Sequence, residues 1–395
     1  MRVSAVVDMA GPGWGRTWIR RIRTGVFRRI ADHHGKLVPL VLTAALAIST
    51  VACERREPGR GTRPSDVAIE SSGRVSETPS GPSISIHAGS DGPTVPAWSG
   101  ATVGHGSSAL FEVETTDADY WRLSTLDRFD GETWKGSDGG GSAGVQTFLT
   151  PATLPTAAGS ASPTDAGSVD QTFRIFSDFG GVPALPLPPT ADEIGGPIGE
   201  ITWDRYRGQA LVDGGLEEGM VYTVRSRIVV PTPEELDRVD HRASQEHGRW
   251  TQLPADLDRR VREIAENWTA GAASDYRKVL AIQERFQSGD FVYSTDVELP
   301  YGEDALLEFL TRTKAGFCQH YSSAMAVLVR ELGLPARIAV GYRAGTRQDD
   351  GSFLVLSTDA HSWVEVFFAG YGWLPFEPEP GTTHPNAEPG TYLDP

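Results

Sequence analysis

The sequence predicts an α+β protein, and three observations carry that prediction. Between residues 106 and 230 short alternating or β-rich runs are separated by turn residues. After Pro231 the apolar residues shift to helical spacing, through Tyr276, Val279, Leu280, Ile282 and Phe286 and again through Ala324, Val327, Leu328 and Leu332. Beyond that second helix the run Phe353–Phe368 alternates like a strand, and Gly372–Pro378 supplies a partner for it.

The chain begins with a basic head. Residues 1–36 hold eight Arg and Lys against two Asp, a net of +6 in a 395-residue chain whose total charge is −16. The body is therefore acidic, which excludes a nucleic-acid binder, since phosphate contacts need a basic surface. Residues 37–53 form an uncharged apolar run, at the short limit for a membrane-spanning helix. A positive segment before an apolar one keeps the N-terminus in the cytoplasm and sends the remainder outside. The run fits an uncleaved signal anchor, or a lipoprotein signal in which Cys53, after the small residue Ala52, becomes the lipidated first residue; a buried core helix is the third reading. We expect a membrane-tethered, exported chain whose catalytic core is extracytoplasmic.

Residues 54–105 are Gly, Pro, Ser and Thr punctuated by charges and read as a disordered linker. Residues 106–230 read as a β-rich domain with one wet face, interrupted by a loose Gly/Ser/Ala/Pro loop at 136–168. Residues 231–381 read as a catalytic core. It starts at the capped helix Thr232-Pro233-Glu234-Glu235-Leu236 and continues with helices at 256–270, 274–288 and 304–311 and a short extended piece, Phe291–Tyr293, before the last of them. Residues 382–395 read as a flexible tail.

The chemistry is concentrated around the second of the two cysteines, Cys318. Two distant cysteines exclude a disulfide framework and a four-cysteine zinc site. Cys318 opens a helix that stops at Gly333 and Pro335. A cysteine in a first turn lies in the field of unpaired amides, which favours the nucleophilic thiolate, and those amides can also hold an oxyanion. A thiolate nucleophile needs a base, and the base needs a group to orient it. Of the nine histidines, His320 falls on the far side of the helix from Cys318, and most others lie in the head, linker, tail or polar stretches. His361 remains, in the strand-like run, with the Glu377 carboxylate on the adjacent strand. Asp359 shares its face by period two but reads better as the end of a turn.

These residues resemble the transglutaminase-like superfamily. The match rests on Gly316-x-Cys318 opening a helix, on Ala360-His361-Ser362-Trp363-Val364-Glu365-Val366, and on Gly372-Trp373-Leu374-Pro375-Phe376-Glu377-Pro378-Glu379-Pro380-Gly381. Upstream, Tyr120–Trp134 resembles the segment that precedes the core in bacterial membrane proteins of the TgpA type, which usually carry several membrane helices; this chain reads as a shortened variant. The resemblance implies a papain-like transglutaminase core, with the helix bearing the Cys packed on an antiparallel sheet. It also implies acyl transfer from an amide through a thioester, resolved by an amine (crosslinking) or by water (protease or amide hydrolase). Cys318 would be nucleophile, His361 base and then acid, and Glu377 the orienting group; many relatives have Asp there, and Glu can accept the same imidazole N–H.

Two other readings stand beside this one. The core could be a non-catalytic scaffold for envelope proteins, or Cys318, His320, His361 and Glu377 could hold a metal, although paired ligand spacing is absent. Gln319, Tyr321 and Trp363 are candidate substrate contacts; Trp363 and Trp373 fit a core role better. We expect no cofactor, no metal and no calcium loop. The expected partners are a protein or peptide substrate at the cell surface, and the membrane through residues 37–53.

Overall fold

The computed structural model describes residues 87–89, 92–96, 107–136, 144–155, 167–177, 179, 182–239, 245–297, 304–387 and 391–393. The basic head and the apolar run at 37–53 lie outside the described residues. Among the described residues no helix is long and apolar enough to cross a membrane.

A four-stranded antiparallel sheet positions the site. In chain order its strands are β1 (Trp121–Leu126), β2 (Ala336–Tyr342), β3 (Ala360–Phe368) and β4 (Gly372–Phe376), and they lie side by side in the order β4-β3-β2-β1. All four strands are buried almost throughout, and the polar residues within them, among them Arg122, Arg337, His361 and Glu365, are buried with the apolar ones. Of three helices, α1 (Arg259–Trp268), α2 (Asp275–Gln287) and α3 (Cys318–Glu331), α3 packs on the sheet, and α1 and α2 pack against α3. Asp258 and Ser274 cap α1 and α2 by accepting backbone N–H bonds from Arg260 and Arg277. α3 is buried from Cys318 through Arg330. It ends at Gly333, whose φ of 78° is the left-handed conformation that glycine supplies at a helix C-terminus.

α3 and the sheet share a core with Tyr276, Ile282, Phe286, Phe309, Met325, Val327, Ile338, Val364 and Phe376. At its C-terminal end Arg330, fully enclosed, donates to the carbonyls of Ala336, Gln252 and Asp127 at 2.6–2.9 Å and lies over the Trp134 ring. Burial pushes its pKa down to about 9.

The β-rich region forms a seven-stranded antiparallel sheet ordered Thr346–Arg347, Phe353–Leu356, Ala109–Glu114, Ser168–Ile175, Val221–Arg227, Ala191–Gly195 and Ala152–Thr153. Its core is Phe111, Trp121, Phe173, Tyr222 and their neighbours, with Phe173 stacked on Tyr222.

Four features differ from the sequence reading. The boundary at 230 is not a clean cut: β1, from the β-rich region, completes the core's sheet, while Phe353–Leu356, from the core, pairs with Ala109–Glu114. The alternating run 353–368 is two strands in two sheets, broken by a 3-10 turn at Ser357–Asp359 where the Asp359 carboxylate accepts the Leu356 N–H at 2.8 Å. Inside the expected linker, His87–Gly89 and Gly92–Pro96 are strands, and the second pairs with Thr133–Lys135. The expected tail is packed at Tyr392, 2% exposed, whose carbonyl accepts the Tyr276 hydroxyl. Short strands with few residues carry too little periodicity to be separated from loops.

β1 and β2 approach closely at Gly341, where an added Cβ would lie 2.0 Å from the Trp121 carbonyl oxygen. Backbone cannot yield as a flexible side chain can. Gly341→Ala is therefore expected to cost about 3 kcal/mol, the upper part of the usual overpacking range, read as a lowered urea midpoint with unchanged slope. A midpoint equal to wild type would show that the strands part without penalty.

Candidate active site

Cys318 is the first residue of α3, directly after the extended residue Phe317, and is 2% exposed. It is the free cysteine among the described residues. His361 lies near the start of β3, opposite Gly341 of β2, and is fully buried. The helix and strand are tied together one residue beyond the base, where the Ser322 and Ser362 hydroxyls meet at 2.9 Å.

His361 Nε2 is 2.6 Å from Glu377 Oε2. The same oxygen accepts the Tyr120 hydroxyl at 2.7 Å, and Oε1 accepts the Glu379 N–H at 2.9 Å. The Glu377 backbone is held by α2: its N–H donates to Gln283 and its carbonyl accepts from Gln287. Because Nε2 faces Glu377, Nδ1 is the nitrogen left to serve Cys318, with which the ring hydrogen-bonds. Burial disfavours the imidazolium, but the Glu377 charge outweighs it and raises the His361 pKa to about 10. Burial likewise opposes ionisation of Glu377, yet the charge and hydrogen bond of His361 and the donors from Tyr120 and Glu379 hold its carboxyl below the usual range.

Two groups here escaped the sequence reading. Arg343 places Nη2 3.3 Å from His361 Nδ1 and forms an ion pair with Glu379. Burial works against this cation, but the charges of Glu379, Glu377 and Cys318 raise its pKa. Glu379 is 2% exposed, accepts the Thr382 hydroxyl at 2.8 Å, and has its pKa raised by burial. A signal for it existed in the hairpin: Val364 faces Phe376, so the register carried three steps past the strand end would set Trp363 against Glu377 and His361 against Glu379. Glu377 thus reaches His361 as a diagonal neighbour. Tyr120 was legible only as part of a motif, because its role depends on a contact 257 residues away.

The other candidates fall elsewhere. Tyr321 is fully buried and donates its hydroxyl to the Val292 carbonyl at 2.8 Å, so it is a packing residue rather than a substrate contact. Trp363 is also fully buried, against the Tyr120 and His361 rings, as its core reading expected. Gln319 is 6% exposed, beside the nucleophile. His320 does not join the site: Nδ1 accepts the Phe317 N–H at 3.1 Å, and burial lowers its pKa to about 4. The four-ligand metal set of the sequence reading therefore does not assemble. Cys318 Sγ, a His361 nitrogen and a Glu379 oxygen do lie within 4.8 Å of one another, a separation at which they could chelate a soft cation. The Arg343 guanidinium already sets a positive charge beside two of the three, and we assign no metal there.

Residues 262–378 match the family model of the transglutaminase-like superfamily, and residues 104–233 match that of the TgpA N-terminal domain. Residues 262–378 are a transglutaminase-like core. The periplasmic domain of TgpA from Pseudomonas aeruginosa aligns with this chain at a TM-score of 0.51 and 26% identity, over 69% of this chain and 88% of that one. A protein-glutamine gamma-glutamyltransferase of Pseudomonas aeruginosa is 29% identical over 275 residues, covering 66% of this chain and 35% of that protein. The Bacillus subtilis (strain 168) protein YebA is 39% identical over 175 residues, 42% of this chain and 24% of its own length. The chain thus spans between a quarter and about a third of these two relatives. Within the transglutaminase-like core, the matched span contains Cys318, His361 and Glu377, and Glu379 lies one residue beyond it.

Proposed function

We propose that this chain is an extracytoplasmic cysteine-dependent acyltransferase that acts on protein or peptide amides through Cys318, His361 and Glu377. The observation that carries the reading is the arrangement of His361. One nitrogen is fixed on a buried carboxylate at 2.6 Å, and the other is left to a cysteine at the start of a buried helix. The thiolate attacks the amide carbonyl, and His361, oriented and charged by Glu377, protonates the departing amine. Among the first amides of α3, those of His320 and Tyr321 bond the Phe317 carbonyl, so the Cys318 and Gln319 N–H groups are the ones left for the oxyanion. An amine then resolves the thioester to a crosslink, or water resolves it to an acid. The extracytoplasmic placement draws on the likeness to a periplasmic domain and on the apolar run at 37–53 as its tether, by membrane span or by lipid at Cys53.

The test is alkylation of the full chain by iodoacetamide from pH 5 to 9, read by mass on the Cys318 peptide. Rapid labelling well below the ordinary thiol pKa of about 8.5, slowed in His361→Ala, is the expected result. Labelling only above that pH in wild type would sink the enzymatic reading in favour of the non-catalytic scaffold.

A further inference from the structure

Glu379 has no place in the relay from Cys318 through His361 to Glu377, because the base already has its carboxylate. Its oxygens are nevertheless unequal. Oε1 is held by Arg343 and Thr382, whereas Oε2 is buried without a hydrogen-bond partner. A buried carboxylate oxygen without a donor is costly to maintain. One oxygen of this carboxylate lies within 4.8 Å of both Cys318 Sγ and a His361 nitrogen, at the point where the second half-reaction takes place. The neighbouring Tyr293, 37% exposed, has its phenol pKa raised by burial and then by the charges of Glu379 and Cys318.

The charge balance then names the guest. In the acyl-enzyme the sulfur is esterified, and in the form of the site that can take a proton from an acceptor His361 is neutral. Glu377 and Glu379 against Arg343 leave one uncompensated negative charge in a site that excludes water. Neither water nor a neutral nucleophile answers that charge; a primary alkylammonium does.

We propose that Glu379 is the specificity-determining carboxylate for the acyl acceptor: Oε2 receives the ammonium of a cationic primary amine and holds its nitrogen beside the thioester. This rests on the acyl-transfer reading above. The ammonium passes one proton to Glu379, and the free amine attacks the thioester carbonyl. His361 Nδ1 takes the second proton, and the C–S bond breaks with its electron pair returning to sulfur. The products are a secondary amide, the Cys318 thiolate beside an imidazolium, and a protonated Glu379 that returns its proton to solvent. Burial, which raises the Glu379 pKa, suits it to accept that proton.

The experiment acylates the full chain with p-nitrophenyl acetate, which needs no knowledge of the natural donor, with Cys318→Ala as background. The nitrophenol burst counts active sites. Acyl transfer per burst is then measured at pH 7 to cadaverine, a cation, and to hydroxylamine, which is neutral there. In Glu379→Gln the ratio of cadaverine to hydroxylamine transfer is expected to fall at least about 10-fold, the size of one lost charged hydrogen bond, with partial recovery in Glu379→Asp. An unchanged ratio overturns the proposal, as does a wild-type acyl-enzyme that only hydrolyses. Absence of a burst in wild type overturns the acyl-transfer reading and this proposal with it, whereas a burst with an unchanged ratio defeats this proposal alone.

Discussion

Glu377→Gln is expected to fold normally and to lose about 10³–10⁴-fold in acyl-transfer rate, the penalty when a base is left with the wrong tautomer. The amide can turn its NH₂ toward Nε2 and leave the ring proton on the nitrogen that must serve Cys318. The pH profile separates this cause from simple misplacement. The wild-type His361 pKa is raised to about 10, so the imidazolium, and the stability it contributes, is present below the ordinary value of about 6.5 and is lost as pH rises through about 10. Glu377 is shifted the opposite way, and its contribution, present above the ordinary carboxylate pKa, is lost on acidification. With the carboxylate gone, burial and the Arg343 charge both remain, and both lower the His361 pKa. The alkaline limb of the acyl-transfer rate, which needs the imidazolium as acid, should therefore move from about pH 10 to near neutrality or below. A variant with a reduced rate but an unmoved limb would show that Glu377 does not set the charge of His361.

The second large effect concerns stability. Glu365 is fully buried and accepts from two buried arginines, Arg122 at 2.8 Å and Arg337 at 2.6–2.7 Å. Arg122 also donates to the Pro189 and Gly208 carbonyls, Arg337 donates to the Tyr206 carbonyl, and the Arg337 guanidinium lies over Trp373. Burial lowers the Arg337 pKa to about 10 even with this partner, so the cations depend on the shared anion. Glu365→Ala leaves two enclosed positive charges facing each other and is expected to cost about 3–5 kcal/mol in chemical denaturation. A loss under about 1 kcal/mol would mean that the arginines find water or rotate out, and that the triad does not hold the sheet to the β-rich region.

What could be read from the sequence was mostly local. The helix on Cys318 followed from a repeat at Ala324, Val327, Leu328 and Leu332, and the β3–β4 hairpin from alternation around a Gly-rich turn. Meeting of His361 with Glu377 needed only neighbouring strands. Arg343 and Tyr120 were not assigned to the site because their roles are set by pairings across the fold, which periodicity does not encode, whereas Glu379 was missed although the hairpin register carried to it. Glu365 illustrates the same limit: inside an apolar strand it reads as a stray charge until two arginines from other strands are placed around it. The run 353–368 misled for a related reason, since alternation reports a pleated surface but not which sheet owns it.

The strand exchange between the two regions has a consequence for when the molecule becomes reactive. The core's sheet takes its edge strand β1 from the part made earlier, and the other sheet takes Phe353–Leu356 from the part made later. Tyr120, which steadies Glu377 at 2.7 Å, belongs to the early part as well. A ribosome must therefore deliver every residue from Tyr120 through Glu377 before the thiol, its base and its carboxylate can be brought into register. Synthesis itself acts as a timer, and truncated chains carry an unassembled cysteine in place of a working nucleophile.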